Sequence, residues 1–314
     1  MTVNNKKAED YISPLIVNGM EGRMLHMPAP KRYKRELLVI YGHHAMLERW
    51  WGLIQNANEY GAVTMPDLPG FGGMDSFYKI GQKATIDNYA DYMAAFIKMR
   101  YKRKKVTILG ISFGFVVATR MLQRYPELTK NVDLLVSAVG FMHQNDFSLS
   151  KTRQRFYRWT AAVLAVPPMP TLFRYLGLNS FVLRRAYGLT YNGRHKFREV
   201  AGSEEKFNAM MDMEVKLWQC NDVRSYMKTS TEFLRLDNCK VPVDLPVWHV
   251  CTKHDVYFDN DIVEQHMRVV FSDFHRSYIN IKTHAPSIMA DKKASAVMLP
   301  PALRRKLRET DPAA

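Results

Sequence analysis

The 314-residue chain is short of cysteine, of long apolar runs and of acidic residues relative to basic ones, and each shortage excludes a class of protein. Its three cysteines, Cys220, Cys239 and Cys251, form no CxxC pair and crowd into the last third. Neither a disulfide framework nor a cysteine-built metal site is expected, and a reducing compartment is the simpler reading. The most apolar stretch, Trp159 to Phe173, is interrupted by Pro167, Pro168 and Pro170, and it falls short of the roughly 20 apolar residues of a spanning helix. The polar start, Met1 to Asp10, is followed by no apolar segment of signal type. These absences lead to the expectation of a soluble, cytoplasmic protein. No tract is biased or repetitive enough to suggest a disordered tail or a repeat array.

Aspartate and glutamate number 30 against 45 lysines and arginines, a net charge of +15. Basic clusters occur at Lys31–Arg35, Tyr101–Lys105 and Arg304–Arg308, each at an expected element edge. None alternates with aromatics as a nucleic-acid surface often does, so no nucleic-acid partner is expected. They read as a solvated basic surface, with weak attraction to anionic membranes or polyanions as the alternative. The sequence sets no oligomeric state.

Hydrophobic residues make up 47%, enough for a large core. Between Glu36 and Phe141, short apolar runs alternate with helical patterns. Glu36–Tyr41, Ala62–Pro66, Val106–Ile111 and Leu134–Val139 read as buried strands. Ala45–Asn58, Thr85–Tyr101 and Phe113–Tyr125 read as helices. That alternation implies βαβ crossovers and a mostly parallel sheet covered by helices. Ahead of it, Asn18-Gly19 between two apolar stretches over Ile12–Met27 marks an antiparallel hairpin at the sheet edge. From about 143 to 240 the pattern becomes helical and aromatic, without a convincing strand. It then resumes with strands at Leu245–Cys251 and Ser277–Lys282, a helix near Asp261–Val270 and a last helix from Ala285. The organisation is one α/β core, 1–142 and 241–314, with a helical cap inserted at 143–240.

Gly110-Ile111-Ser112-Phe113-Gly114 fits G-x-S-x-G and lies between an expected strand and an expected helix. Glycines there allow a tight turn that lifts the serine above the sheet, with helix N–H groups behind it. A Gly-Ser turn without chemistry is the plainer account of the bare pattern. Further segments keep a definite order around it. Ile40-Tyr41-Gly42-His43-His44 precedes Glu48-Arg49-Trp50-Trp51; Met65-Pro66-Asp67-Leu68-Pro69-Gly70-Phe71-Gly72 follows; Arg124-Tyr125-Pro126-Glu127 closes the third helix. With these segments the chain resembles the α/β-hydrolase superfamily, in its capped esterase, lipase and C–C hydrolase branch.

The resemblance implies a Ser-acid-His triad in that chain order. Thr252-Lys-His-Asp255 after one strand matches the acid position, and Thr283-His284-Ala285-Pro286 after the next matches the histidine. Ser112, Asp255 and His284 are therefore the expected catalytic residues, with the backbone N–H groups of His43 and Phe113 as the implied oxyanion donors. Alternatives stand beside them. Asp259 could be the acid but fits a helix start, and Asp146 follows the strand before the cap. His254 fits a loop residue, and His249, inside a strand, fits a satisfied core histidine. The family's histidine before the oxyanion-loop glycine is Tyr41 here, so that loop is oriented differently. His43 and His44 fit either pocket or loop packing. No aspartate stands at the elbow, which argues against the dehalogenase and epoxide-hydrolase branches.

The cap carries Phe156, Tyr157, Trp159, Phe173, Tyr175, Phe181 and Trp218, and 16 Lys/Arg against 9 Asp/Glu between His143 and Lys240. An apolar or aromatic acyl substrate is expected, with Gly42, His44, Trp159 and Trp218 as its contacts. One cap arginine could hold a substrate carboxylate. Neither cofactor nor metal is implied. Hydrolysis of an ester is the first reading. Cleavage of a C–C bond or an N-terminal amide by the same triad is the second, and a non-catalytic ligand receptor is the third.

Overall fold

The computed structural model describes residues 6–31, 33–189, 203–253, 255–281, 283–286 and 290–309. The first two strands, β1 (Ile12–Val17) and β2 (Met20–Met27), form the expected antiparallel hairpin. Asn18 and Gly19 supply its turn at φ 51° and 78°, the two left-handed residues that a two-residue hairpin loop needs.

Six more strands follow: β3 (Glu36–Ile40), β4 (Ala62–Pro66), β5 (Val106–Ile111), β6 (Val132–Ala138), β7 (Val247–Thr252) and β8 (Phe274–Ile279). Among the described residues they form one sheet in the order β1-β2-β4-β3-β5-β6-β7-β8. Pairing from β4 through β8 is parallel throughout, and only β2 runs against it. All residues of β4 and β5 are buried, as the continuous apolar runs require of strands covered on both faces. The edge strand β8 begins three residues ahead of the expected Ser277. Its middle carries exposed His275 and Arg276, which an edge tolerates and an apolar-run reading passes over.

Helices α1 (Trp51–Ala57), α2 (Ile86–Arg100) and α3 (Phe113–Arg124) connect the first strands. Thr85 caps α2, its hydroxyl accepting from the Asn88 N–H at 3.2 Å. The helix expected from Ala45 starts later, because a 3-10 turn at Leu47–Trp50 precedes α1 and His44 sits at φ 55°. Between β6 and β7 the described chain forms α4 (Lys151–Leu164), α5 (Met169–Gly177), α6 (Ser180–Leu189), α7 (Glu204–Cys220) and α8 (Val223–Phe233). Inward residues Ala161, Leu178, Leu183, Val215, Trp218, Val223 and Met227 make a small core of their own. The last elements are α9 (Asn260–Val270), α10 (Lys292–Ser295) and α11 (Pro301–Glu309). No helix starts at Ala285, since the chain around His284 and Pro286 is a run of bends and Asp291 caps the next helix. Arg35, counted in a surface cluster from sequence, is 1% exposed and donates to Thr107 Oγ1 at 2.6 Å and Asp133 at 3.1 Å.

Helix α3 lies against the middle of the sheet, with Phe113, Phe115, Val116, Val117 and Met121 buried. Its approach is set by two glycines. A Cβ on Gly114 would stand 1.9 Å from the Ile40 carbonyl oxygen, and one on Gly110 would stand 2.5 Å from Phe115 Cα. Gly114→Ala should therefore destabilise the fold by about 3 kcal/mol, the upper part of the overpacking range, since backbone rather than a side chain must move. Helix propensity alone would give the opposite sign, a gain of about 1 kcal/mol. Gly19→Ala, with open space around the Cβ and only a left-handed φ to strain, should cost about 1–2 kcal/mol. Urea unfolding of the two variants checks both, and a stable Gly114→Ala protein would contradict the close-approach account.

His249 on β7 is 1% exposed, and its Nδ1 lies 2.9 Å from Ser137 Oγ on β6. Burial, with Arg276 adding and Asp255 opposing, lowers its pKa from 6.5 to about 3. The unfolded chain therefore binds a proton there between those values that the folded chain does not. The stability this neutral imidazole contributes is complete above 6.5 and is lost as pH falls toward 3. Unfolding free energy should drop by about 1.4 kcal/mol per pH unit below 6 from this residue alone. In His249→Leu the slope between pH 6 and 4.5 should be shallower by that amount. An unchanged slope would show that His249 is charged in the fold.

Candidate active site

Strand β5 ends at Ile111 and α3 begins at Phe113, so Ser112 alone must turn the chain. It does so at φ 49° and ψ −112°, a strained conformation for a side-chain-bearing residue. Its N–H is held by the Ala138 carbonyl of β6 at 2.8 Å. The same close packing that excludes a Cβ from Gly110 and Gly114 thus fixes Ser112 at the C-terminal end of the sheet.

The two loops after β7 and β8 converge on it. His284 Nε2 is 3.1 Å from Ser112 Oγ, and His284 Nδ1 is 2.7 Å from Asp255 Oδ2. Asp255 Oδ1 accepts the N–H groups of Tyr257 at 2.8 Å and Phe258 at 3.3 Å. The Asp255 side chain is 2% exposed. Burial alone would raise its pKa, but the hydrogen bond and charge of His284 and the two backbone donors outweigh it and hold the carboxyl below its usual range. An ionised Asp255 can only accept, so Nδ1 carries the imidazole proton and Nε2 is left to accept from the Ser112 hydroxyl. Tyr257 and Phe258 set their rings 5.3 and 5.2 Å from His284.

The loop after β3 passes directly over the elbow. A Cβ on Gly42 would meet the Ile111 carbonyl at 3.2 Å and Ser112 Cβ at 3.4 Å, so this backbone lies against the serine. The next N–H is that of His43. Phe113 is the first residue of α3, where no intrahelical carbonyl can satisfy the N–H.

The side chains of both histidines of this loop reach into the inserted helical segment. His43 Nε2 is 2.6 Å from Thr229 Oγ1 on α8. That hydroxyl already donates to the Ser225 and Tyr226 carbonyls, so His43 must donate from Nε2. Its ring stacks on Tyr226 at 4.3 Å and meets the edges of Phe71, Phe113 and Phe233. Burial, with His44 adding, lowers its pKa to about 3 and keeps it neutral. His44 Nδ1 lies 3.1 Å from Asn221 Nδ2, its Nε2 lies 3.4 Å from Glu214 Oε1, and its ring is 4.1 Å from Trp218. Asn221 also accepts the Gly72 N–H at 2.8 Å.

Tyr41 stands where the family has histidine, and its role is visible. The buried phenol donates to Asp67 Oδ1 at 3.0 Å and accepts the Leu68 N–H at 2.7 Å. Arg23 from β2 holds the other Asp67 oxygen at 3.0 Å, Glu48 at 2.7 Å and the Gly72 carbonyl at 2.7 Å. Tyr41 therefore braces the loop after β4 against the loop after β3.

The remaining sequence candidates divide clearly. Asp259 caps α9, accepting from the N–H groups of Asp261 and Ile262. Asp146 is fully buried, accepts the Met142 and His143 N–H groups at 2.7 and 2.9 Å, and pairs with His266 instead of His284. His254 lies outside the described residues. Trp218 is buried against His44 and Tyr226. Trp159, expected at the pocket, is instead 65% exposed on the outer side of α4, because Ala161 and Leu164 supply that helix's inward face. Sequence reading passed over Thr229, Asn221, Glu214 and Tyr226, which sit on or at the end of helices without a motif. Only Tyr257 and Phe258, two and three residues after Asp255, could have been found from their neighbour.

A family model described as alpha/beta hydrolase fold matches residues 37–225, more than half of the chain. No curated protein sequence matches it. Similar solved structures include a thermophilic esterase from Thermogutta terrifontis, at 16% identity and TM-score 0.61 over 95% of this chain and 97% of that one. Another is an N-formylmaleamic acid deformylase from Pseudomonas putida S16, at 14%, 0.63, 91% and 98%. A third is a membrane phospholipase A, a bacterial virulence factor, at 14%, 0.66, 95% and 87%. At these identities the likeness carries the fold alone. Together with the matched family model and the parallel sheet with its strained strand-to-helix turn at Ser112, it leads to one conclusion: the chain belongs to the α/β-hydrolase fold family.

Proposed function

We propose that this protein is a serine hydrolase that cleaves an ester-type bond of an apolar or aromatic acyl substrate through an acyl-enzyme. The observation that carries the reading is the hydrogen-bonded chain from Ser112 Oγ through His284 to Asp255, at 3.1 and 2.7 Å. His284 Nε2 takes the Ser112 proton as Oγ attacks the carbonyl carbon, and then returns it to the leaving alcohol. Water attacks the acyl-enzyme by the same route and releases the acid. Asp255 keeps the imidazole in the Nδ1–H tautomer and stabilises the imidazolium. The N–H groups of His43 and Phe113 receive the oxyanion, a donor pair whose members typically contribute ~3 kcal/mol each.

The substrate class rests on the surroundings. Phe113, Phe141, Phe233 and Phe258 form a run of ring contacts that extends from the elbow to the acid loop. Tyr226 and Trp218 add rings from the inserted helices, packed on His43 and His44. Such walls favour an acyl group without charge. Residues 143–240 act in this reading as a cap on a core of 1–142 and 241–314, excluding water and shaping acyl preference.

A fluorophosphonate should label Ser112 and no other serine, and Ser112→Ala should lower p-nitrophenyl ester turnover by ~10⁶. Labelling elsewhere, or an active alanine variant, would overturn the proposal. Asp255→Asn should keep the unfolding midpoint within a few degrees yet cut turnover by ~10⁴, since the amide no longer selects the tautomer. Asp146→Asn should show the reverse, lowering stability more than turnover. If Asp146→Asn is the variant that loses ~10⁴ in a folded protein, the acid has been misassigned.

A further inference from the structure

Helices α4, α5 and α6 turn one side to the small core around Trp218 and the other to solvent, and the solvent side is unusually apolar. On α4, Phe156, Trp159 and Val163 are exposed at i, i+3 and i+7, and Val166 continues the line beyond the helix end. On α5, Leu172, Tyr175 and Leu176 are exposed at i, i+3 and i+4, the last two at 72% each. Phe181 at the start of α6 adds a further ring. The inward residues of all three helices, Ala161, Phe173, Leu178 and Leu183 among them, join one cluster, so the exposed stripes face away from it together. An apolar face of this kind marks an interaction surface.

Its charge narrows the partner. From Lys151 to Tyr187 the chain carries seven lysines and arginines and no aspartate or glutamate. Lys151, Arg153, Arg155 and Arg185 are exposed, and Arg185 lies over the Phe181 ring at 5.5 Å. Arg174 and Arg184 serve the fold instead, on the α7 end carbonyls and on Asp212. A second copy docking face to face would bring two such acid-free stripes together and be repelled. A nucleic acid would use the cations and rings but gain little from Val163, Val166, Leu172 and Leu176. Exposed aromatics and aliphatics mixed with arginine fit the boundary between lipid headgroups and acyl chains. No described helix is long and apolar enough to cross a membrane, so such a contact would stay at the surface.

We propose that the outer face of α4–α6 docks on an anionic lipid bilayer, inserting Phe156, Trp159, Tyr175 and Leu176 between headgroups ringed by arginine. This contact is independent of the reaction at Ser112. The basic segment Tyr101–Lys105 does not share it, because it precedes β5 at the opposite end of the sheet from Ser112.

Sedimentation with sucrose-loaded vesicles of phosphatidylcholine containing 30% phosphatidylglycerol tests it in full-length protein at physiological salt. Wild type should bind these vesicles and not pure phosphatidylcholine. Arg153→Gln with Arg155→Gln and Arg185→Gln should weaken binding roughly a hundredfold, at about fivefold per charge. Trp159→Ser with Tyr175→Ser and Leu176→Ser should weaken it at least tenfold, with unchanged circular dichroism and unfolding midpoint. Brominated acyl chains should quench wild-type tryptophan fluorescence, and Trp159→Phe should remove that quenching. Absence of binding to anionic vesicles would overturn the proposal. So would full binding by the apolar variant, which would indicate charge attraction alone, or a lipid-free dimer abolished by the same serines.

Discussion

The contact between Gly114 and the Ile40 carbonyl is the constraint on which the rest of the molecule depends. It lets the first turn of α3 press on the end of β3, so the single residue between β5 and α3 must take a left-handed, strained turn. The residue so turned is Ser112. The segment after β3, Tyr41 to His44, is thereby drawn across the elbow, with Gly42 packed against the Ile111 carbonyl and the Ser112 Cβ. Strain at one residue is thus held by close packing of two backbones, a pattern expected where a reactive group must be presented rather than buried. Asp255 and His284 then need only short loops from β7 and β8 to reach it, because parallel pairing brings all three strand ends to one edge.

A second layer of support comes from the inserted helices. The loop over the elbow is pinned by His43 to Thr229 and by His44 toward Asn221 and Glu214. These are side chains of α7, of its C-cap and of α8, so the proposed oxyanion donors and the proposed cap form one mechanical unit. A neutral, half-buried His43 suits this use, since it needs only one ring N–H and a flat face for Tyr226. Tyr41 completes the bracing from the core side through Asp67 and Arg23. The polar network beneath the loop is satisfied by side chains drawn from β2, β3 and the loop after β4, which are distant in sequence and fixed only by the fold.

Much of this was legible from residues alone, for local reasons. Asn18-Gly19, the Thr85 cap, the buried runs of β4 and β5 and the glycine-framed Ser112 are short-range features whose backbone demands are written in neighbouring residues. The resemblance singled out Ser112, Asp255 and His284 at the ends of strands, and the fold brings their side chains together. What escaped was set at longer range. Strand β8 starts three residues ahead of where its apolar residues place it, because an edge strand tolerates His275 and Arg276. A helix was expected at Ala285 where the loop must instead keep His284 free to turn inward. Trp159 was given to the pocket because aromatic content says nothing about which helix face is inward; Ala161 decides that, and it is small and unremarked in sequence. The partners of His43 and His44, Thr229 and Asn221, lie 186 and 177 residues away and belong to no motif.

The most direct measurement is a crystal structure of the protein after reaction with an alkyl fluorophosphonate, whose tetrahedral phosphorus stands in for the carbonyl carbon under attack. The account predicts phosphorus bonded to Ser112 Oγ, with its oxygen about 2.7–3.1 Å from the backbone nitrogens of both His43 and Phe113. It also predicts the alkyl chain against the Phe141, Phe233 and Phe258 rings, and His284 still bonded to Asp255. An adduct on another residue would contradict it, as would a phosphoryl oxygen turned away from those two nitrogens toward solvent.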